Sequence, residues 1–403
     1  MNNIRLLTVI SALCFVATGI SSILTSLYLQ ELGASFSQIA FIQASVVITM
    51  VAASFAWGRF SDRLGRRKPM LITGLTILAI AYFVLSQAPT SNWAWGARVF
   101  EGVGSAAYAT LSLAMMGDLL EKEKQRGRRI GIWRGLGSLS FAIGAISGGW
   151  VADAISRGGA LLLCVGLYAA AALFATMLEE VQPMPLAAQP ATTPTPKPPA
   201  PAKPSMLPAA FLGGVFFWIC AHSASASMWP NYMASFGYSS TASGFLWGMA
   251  AIVEMVVMYF AGALSDKWGR PPLLVGGALG ISLTNFGYLS LAHFFPALLA
   301  IQLMRGIGFG SYTTAAMTFA AEHGDQRTRG SKSGVFNMTG SAGGLVGTFL
   351  AGNLVQFLGF STLYGVCSAL ALTAALCFWL LRRQTNAALA ASQAPVAQLE
   401  RPR

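Results

Sequence analysis

The sequence is short of charge. Only 10% of its 403 residues are Asp, Glu, Lys or Arg, against about 25% in a soluble domain. So few charges cannot cover a water-facing surface of this size, and a mean hydropathy of +0.59 agrees. Soluble enzymes and DNA-binding proteins are excluded on this ground. Histidine is scarce as well: three scattered residues supply no set of metal ligands. The five cysteines, Cys14, Cys164, Cys220, Cys367 and Cys377, all fall inside apolar stretches. There they act as small hydrophobes rather than as a disulfide framework. The chain has no nucleophile elbow, no His-x-x-x-His pair, no Walker loop and no Cys-x-x-Cys. Catalysis and ATP-driven work lack their usual residues, so no enzyme activity and no cofactor are expected. Any uphill work must draw on an ion or solute gradient.

What the chain has in abundance is apolar runs. Twelve stretches, from 6–29 to 361–381, are close to the roughly 20 apolar residues that span a bilayer. The first leads straight into Tyr28-Leu29-Gln30-Glu31-Leu32-Gly33 with no small-residue cleavage site, so it reads as a span and not a leader. Orientation follows from the basic residues. With Arg5 on the cytoplasmic side, only Arg157 of the 26 Lys and Arg falls in an outside loop, and only Arg98, Arg134 and Arg305 lie in or near spans. Both termini are therefore expected in the cytoplasm. The asymmetry also accounts for the net charge of +12 without any nucleic acid partner.

Residues 179–207 hold nine of the 18 prolines. Such a segment is extended and cannot pack a core. It divides the chain into a six-helix bundle at 1–178, a cytoplasmic linker at 179–207, a second six-helix bundle at 208–381 and a cytoplasmic tail at 382–403. The two bundles are repeats. At an offset of 204, Gly58-Arg-Phe-Ser-Asp62-Arg63-Leu-Gly65-Arg66 matches Gly262-Ala-Leu-Ser-Asp266-Lys-Trp-Gly269-Arg270. Glu101-Gly102-Val-Gly104 falls on Arg305-Gly306-Ile-Gly308, Tyr108 on Tyr312, and Asp118 on Glu322. A parallel repeat of six spans places sites at the interface between halves.

The Gly-x-x-x-Asp-Arg-x-Gly-Arg-Arg loop at 58–67, its weaker second copy and the six-plus-six layout resemble the major facilitator superfamily over nearly the whole chain. The resemblance implies an all-α membrane protein with twelve transmembrane helices in two six-helix pseudo-repeat bundles, moving its solute by alternating access. In that family the loop is a conformational gate. This implies a gating role for Gly58, Asp62, Arg63, Gly65 and Arg66, with Asp266, Gly269 and Arg270 as a reduced copy. Pro271 stands where a basic residue would, so the second latch is expected to be weaker.

Charges inside spans are costly and mark ion or substrate paths. Arg98 and Glu101 are i,i+3 on span four and can pair. The pattern resembles the family's span-four motif, whose arginine is associated with proton transfer. Glu254 lies near the middle of span eight, with apolar neighbours for a turn or more on either side. Removal from water penalises the charged form of a carboxyl, and a group poised that way can load and release a proton. Glu254 is the first candidate for proton coupling, with Arg98 and Glu101 second. A glutamate at this place resembles proton symporters for sugars and aromatic acids.

Arg305 in span ten can bind a substrate anion or pair with Glu254. In span seven, Pro230 is expected to kink or break the helix near its outer end, making Asn231 and Tyr232 an outer gate. His222 is either a proton relay or a residue bonded across helices. Arg305, His222, Asn231 and Gln43 are the cavity candidates. Spans five and eleven carry small-residue packing faces, Gly144-Ala-Ile-Ser-Gly148-Gly149 and Gly340-Ser-Ala-Gly-Gly344-Leu-Val-Gly347. The first resembles the superfamily's antiporter motif, with Ala145 in place of its proline. Two transport modes stay open: proton symport of a sugar-, nucleoside- or aromatic-acid-like solute, and proton-coupled efflux of drug-like amphipathic compounds. The expected partners are a small organic solute, protons and the lipid bilayer, for a monomer in a bacterial inner membrane.

Overall fold

The computed structural model describes residues 3–120, 126–180, 207–322 and 329–399, with the side chains at 62, 126–132, 134, 329–331 and 388–399 outside that description. The first half holds α1 (Asn3–Glu31), α2 (Phe36–Leu64), α3 (Lys68–Ser86), α4 (Ser91–Leu119), α5 (Arg126–Ala154) and α6 (Arg157–Thr176). The second holds α7 (Ala209–Ser235), α8 (Ser240–Trp268), α9 (Arg270–Leu291), α10 (Phe295–Glu322) and α11 (Arg329–Leu399). Gly359 has non-helical angles (φ 82°, ψ 170°) inside α11 and divides it into limbs 329–358 and 360–399. Among the described residues, ten helices are long and apolar enough to cross a membrane, the apolar part of α11 being counted as one.

The repeat seen in the sequence is repeated in the backbone. Gly33 and Gly237 both take a positive φ, 81° and 79°, a conformation that costs glycine little. Two residues later Ser35 and Ser239 cap the next helix, their hydroxyls accepting from the Gln38 and Ala242 amides. Within the first half α1 packs on α5 and α6, and α4 on α2 and α3. Within the second, α7 packs on α11, and α10 on α8 and α9.

Glycine sets how near the paired helices come. A Cβ on Gly144 would lie 2.0 Å from the Val16 carbonyl oxygen, and one on Gly347 would lie 2.2 Å from that of Cys220. These are equivalent positions of the two repeats, so the α1/α5 and α7/α11 crossings use the same device. Large apolar side chains such as Phe245, Ile252, Val256 and Phe260 of α8 stay exposed on the outer side, as a lipid-facing surface requires.

Of the kink or break expected at Pro230, a break is not seen. α7 runs without a break through Pro230 to Ser235. Proline removes one helical N–H and leaves the carbonyl four residues earlier without its partner. That carbonyl belongs to Ala226, which lines the central cavity, and the neighbouring helices hold the turn in place.

Candidate functional site

The halves meet along α5 with α8 and along α2 with α11. Their closest contacts gather at the end that bears Gly33 and Gly237. There Asp153, at the end of α5, reaches across to the first turn of α8. Its carboxylate accepts from the Ser240 amide at 3.0 Å, the Thr241 amide at 2.7 Å and the Thr241 hydroxyl at 2.6 Å. A carboxylate at a helix N-terminus meets free N–H groups and the positive end of the helix dipole. The other repeat makes the matching contact. Gln356 of α11 accepts from the Phe36 amide at the start of α2 through its Oε1, at 3.0 Å. One turn before each clasp stands a glycine. A Cβ on Gly149 would lie 2.3 Å from the Ser240 carbonyl oxygen, and one on Gly352 would lie 2.1 Å from that of Phe36. Gly149-x-x-x-Asp153 and Gly352-x-x-x-Gln356 are thus two copies of one closure. Neither Asp153 nor Gln356 stands out in the sequence alone, because each is a single polar residue at a helix end. Aligning the repeats at an offset of 203 would have paired them.

Beneath this closure lies a cavity of about 370 Å³ between the halves. The first half contributes Thr18, Ser21, Ser22, Thr25 and Ser26 of α1, Gln43 of α2, and Arg98 and Glu101 of α4. The second contributes His222, Ser223, Ala226 and Ser227 of α7, Trp247 of α8 and Thr348 of α11. The α1 hydroxyls give no motif in the sequence. They stand out only once the fold sets them on one wall.

Of the predicted cavity residues, Gln43 and His222 line this space. Gln43 also donates across the halves to the Ser227 carbonyl at 3.4 Å. His222 stacks on Trp218, with ring centroids 5.2 Å apart. Asn231 lies above the cavity, in the closure. Its amide donates to the Ser26 carbonyl at 3.2 Å and to Gln30 Oε1 at 2.7 Å, and Tyr232 donates to the Tyr288 carbonyl at 3.0 Å. Arg305 is buried behind Trp247, its guanidinium 3.7 Å from the indole centroid.

Arg98 and Glu101 form an ion pair, as their spacing predicted, and both side chains are nearly buried. Removing one partner of such a pair leaves an uncompensated charge. Glu254 does not line the cavity as described. It lies seven residues beyond Trp247, two turns or about 10 Å along the same helix face. That face is opposite to the one marked by Phe245, Ile252, Val256 and Phe260. Glu254 and Arg305 act on each other through charge without closing to an ion pair.

The predicted gate loops sit at the other end of the molecule. Gly65 ends α2 in the left-handed region (φ 60°), and Gly269 has φ 83°. Gly58 faces open space, Arg63 and Arg66 are exposed, and the Asp62 side chain lies outside the described residues. The cation that pairs in the first half is Arg67. It bonds Asp118, and the Glu180 carboxylate accepts from the Arg67 and Lys68 amides at 2.7 and 3.2 Å. In the second half Arg270 bonds Asp266 at 2.7 Å and Glu322 at 2.6 Å. By its pairing the structural counterpart of Arg270 is Arg67 and not Arg66, since their partners Glu322 and Asp118 are equivalent in the repeats. These bonds all stay within one half. Pro271 enters the first turn of α9, where its missing N–H is not needed.

The family model of the Major Facilitator Superfamily matches residues 6–294 and 211–401. A Deinococcus radiodurans protein, whose name assigns it provisionally to sugar efflux, is 26% identical over 394 residues, covering 94% of this chain and 97% of that one. Multidrug resistance protein 3 of Bacillus subtilis is 29% identical over 141 residues, covering 35% of this chain and 26% of that one. Among solved structures, the nucleoside transporter NupG superposes with a TM-score of 0.75 at 17% identity, covering 94% of this chain and 99% of that one. A bacterial homolog of the human lysosomal transporter Spinster, inward-facing and occupied, superposes with a TM-score of 0.74 at 16% identity, covering 94% and 96%. With two repeats, a polar space between them and a family match along the chain, this protein is a multi-pass membrane transporter and belongs to the Major Facilitator Superfamily.

Proposed function

We propose that the protein carries a small hydroxylated solute of sugar or nucleoside type by alternating access, with a proton moving through Glu254. The observation that carries this reading is the cavity wall. Five hydroxyl-bearing residues of α1 and Gln43 line a space between the halves. Thr18, Ser21, Ser22 and Thr25 donate to carbonyls of their own helix and keep acceptor capacity, and a wall of this polarity suits a polyol better than an apolar surface. The cavity also lacks an unpaired anion: Glu101 is neutralised by Arg98. A lipophilic cation would find no counter-charge there. The efflux reading for drug-like compounds rests on the resistance proteins that match about a third of the chain. The sugar-efflux relative, matched almost end to end, favours outward movement of a sugar-like solute in exchange for protons.

In this reading twelve crossings form two bundles, 1–178 and 208–381, with both termini in the cytoplasm of a bacterial cell and one chain as the working unit. The clasped end is then outside and the cavity opens inward. Arg63 and Arg66, both exposed, meet the second half together with Asp62 when the cavity closes on the inside, while Arg67 and Arg270 keep each half rigid.

A thermal-shift screen of the purified protein tests the substrate class. A ligand at 100 times its Kd stabilises by about 2.7 kcal/mol. Sugars or nucleosides are expected to raise Tm, and lipophilic cations are not. The reverse pattern would transfer the assignment to drug efflux.

A further inference from the structure

Behind the main cavity lies a second, much smaller space. His222, Ala226 and Trp247 line both, so the two spaces adjoin at these residues. On the far side are Thr284, Asn285 and Tyr288 of α9 and Arg305 of α10. The free volume is about 10 Å³, close to what a single oxygen-sized group occupies.

Three polar groups in this pocket are incompletely bonded, one of them the Tyr288 hydroxyl, which can also bond a guest there. Asn285 is 1% exposed. Its amide nitrogen donates to the Ile281 carbonyl at 2.8 Å, but its Oδ1 has no donor. Arg305 is 9% exposed, and the contact found for its guanidinium is the face of Trp247. A buried acceptor without a donor keeps its full desolvation penalty, and a buried cation needs hydrogen-bond acceptors as well as a nearby charge. Glu254 supplies the charge but does not fill the pocket.

The missing group must accept from a guanidinium and donate to an amide oxygen at the same time, in the volume of one oxygen atom. A carboxylate satisfies the first condition and not the second. An ammonium satisfies the second and not the first. A hydroxyl satisfies both.

We propose that this side pocket binds one hydroxyl group of the transported solute, with Arg305 donating to its oxygen and Asn285 Oδ1 accepting its proton. Trp247 is the wall over which the sugar ring rests while that hydroxyl enters. Asn285 is thereby a specificity-determining residue, on a helix that supplies nothing to the main cavity. This assignment rests on the sugar-type reading of the site and narrows it to a hydroxyl at one ring position.

The test is a deoxy scan. Binding of glucose, galactose and their 2-, 3-, 4- and 6-deoxy analogues is measured on the purified wild type and on Asn285→Leu and Asn285→Asp. Loss of the one hydroxyl that enters the pocket should weaken wild-type binding at least about 10-fold, while the other deletions do less. Asn285→Leu should bind the parent sugar and that one deoxy analogue equally. Asn285→Asp, which keeps an acceptor, should restore the difference. A merely structural role for Asn285 would lower all affinities together and leave the discrimination intact. Wild-type binding with no single sensitive position, or discrimination that survives Asn285→Leu, overturns the proposal and leaves a trapped water as the occupant. Failure of every sugar and nucleoside to bind the wild type overturns the sugar-type reading itself, and this assignment with it.

Discussion

Gly149→Leu is expected to part the two halves at the clasped end and to reduce transport at least about 10-fold while the protein stays folded. The argument is steric. Even a Cβ at this place would lie 2.3 Å from the Ser240 carbonyl oxygen, so a leucine cannot fit while α5 and α8 remain in contact. Overpacking of this kind costs about 1–3 kcal/mol, and every 1.4 kcal/mol shifts a two-state ratio tenfold. The contact lies between halves, so the strain can be relieved by opening the closure instead of by unfolding. Gly144→Leu is the control. Its neighbour Val16 belongs to the same half, so relief there requires α1 to leave α5, and a fall in Tm is expected. A cysteine placed at Thr25, on the cavity wall, reports the difference. It should react slowly with a membrane-impermeant maleimide from outside in the parent protein and quickly in Gly149→Leu. Four of the five native cysteines are buried, which keeps the background low. Slow labelling in both would show that the clasp is not the outer gate. Gly352→Leu should repeat the result, because Phe36 stands in the same relation to it.

Glu254→Gln is expected to abolish accumulation driven by a proton gradient while sparing exchange of solute for solute. Glutamine keeps the size and the hydrogen bonds of the protonated acid and cannot release a proton. Its neighbour Arg305 then keeps its charge, with the Tyr288 phenol and no carboxylate acting on it. Reconstituted vesicles with an imposed pH difference measure the first quantity, and counterflow at equal pH measures the second. Full accumulation by Glu254→Gln would remove the coupling assignment. Loss of both would assign Glu254 to solute binding or folding instead.

The fold was readable because a membrane imposes period and length. Apolar runs of about 20 residues, the cation asymmetry and the Gly58/Gly262 repeat left little freedom. The ion pair of Arg98 and Glu101 was readable because i,i+3 neighbours on a helix must meet. Contacts between distant helices were not. The α1 hydroxyls look like ordinary small residues of a span until α2, α4 and α7 close around them. Asn285 and Trp247 carry no motif and gain meaning only from the pocket they share. A fixed offset sets Arg66 opposite Arg270, whereas the matching ion pair is made by Arg67 with Asp118, because such an offset cannot follow loops of different length. Pro230 was expected to kink or break α7; the helix is not broken, and the freed carbonyl belongs to the cavity-lining Ala226.

The central claim is that the space between the halves carries a small polar solute. Counterflow in proteoliposomes tests it most directly, since it needs neither a driving ion nor a known direction. Vesicles are loaded with unlabelled glucose, uridine or ethidium, diluted, and given the labelled form. The account predicts transient entry of labelled sugar or nucleoside that depends on the protein, and none of ethidium. Counterflow of ethidium alone, with no entry of any sugar or nucleoside, would contradict it.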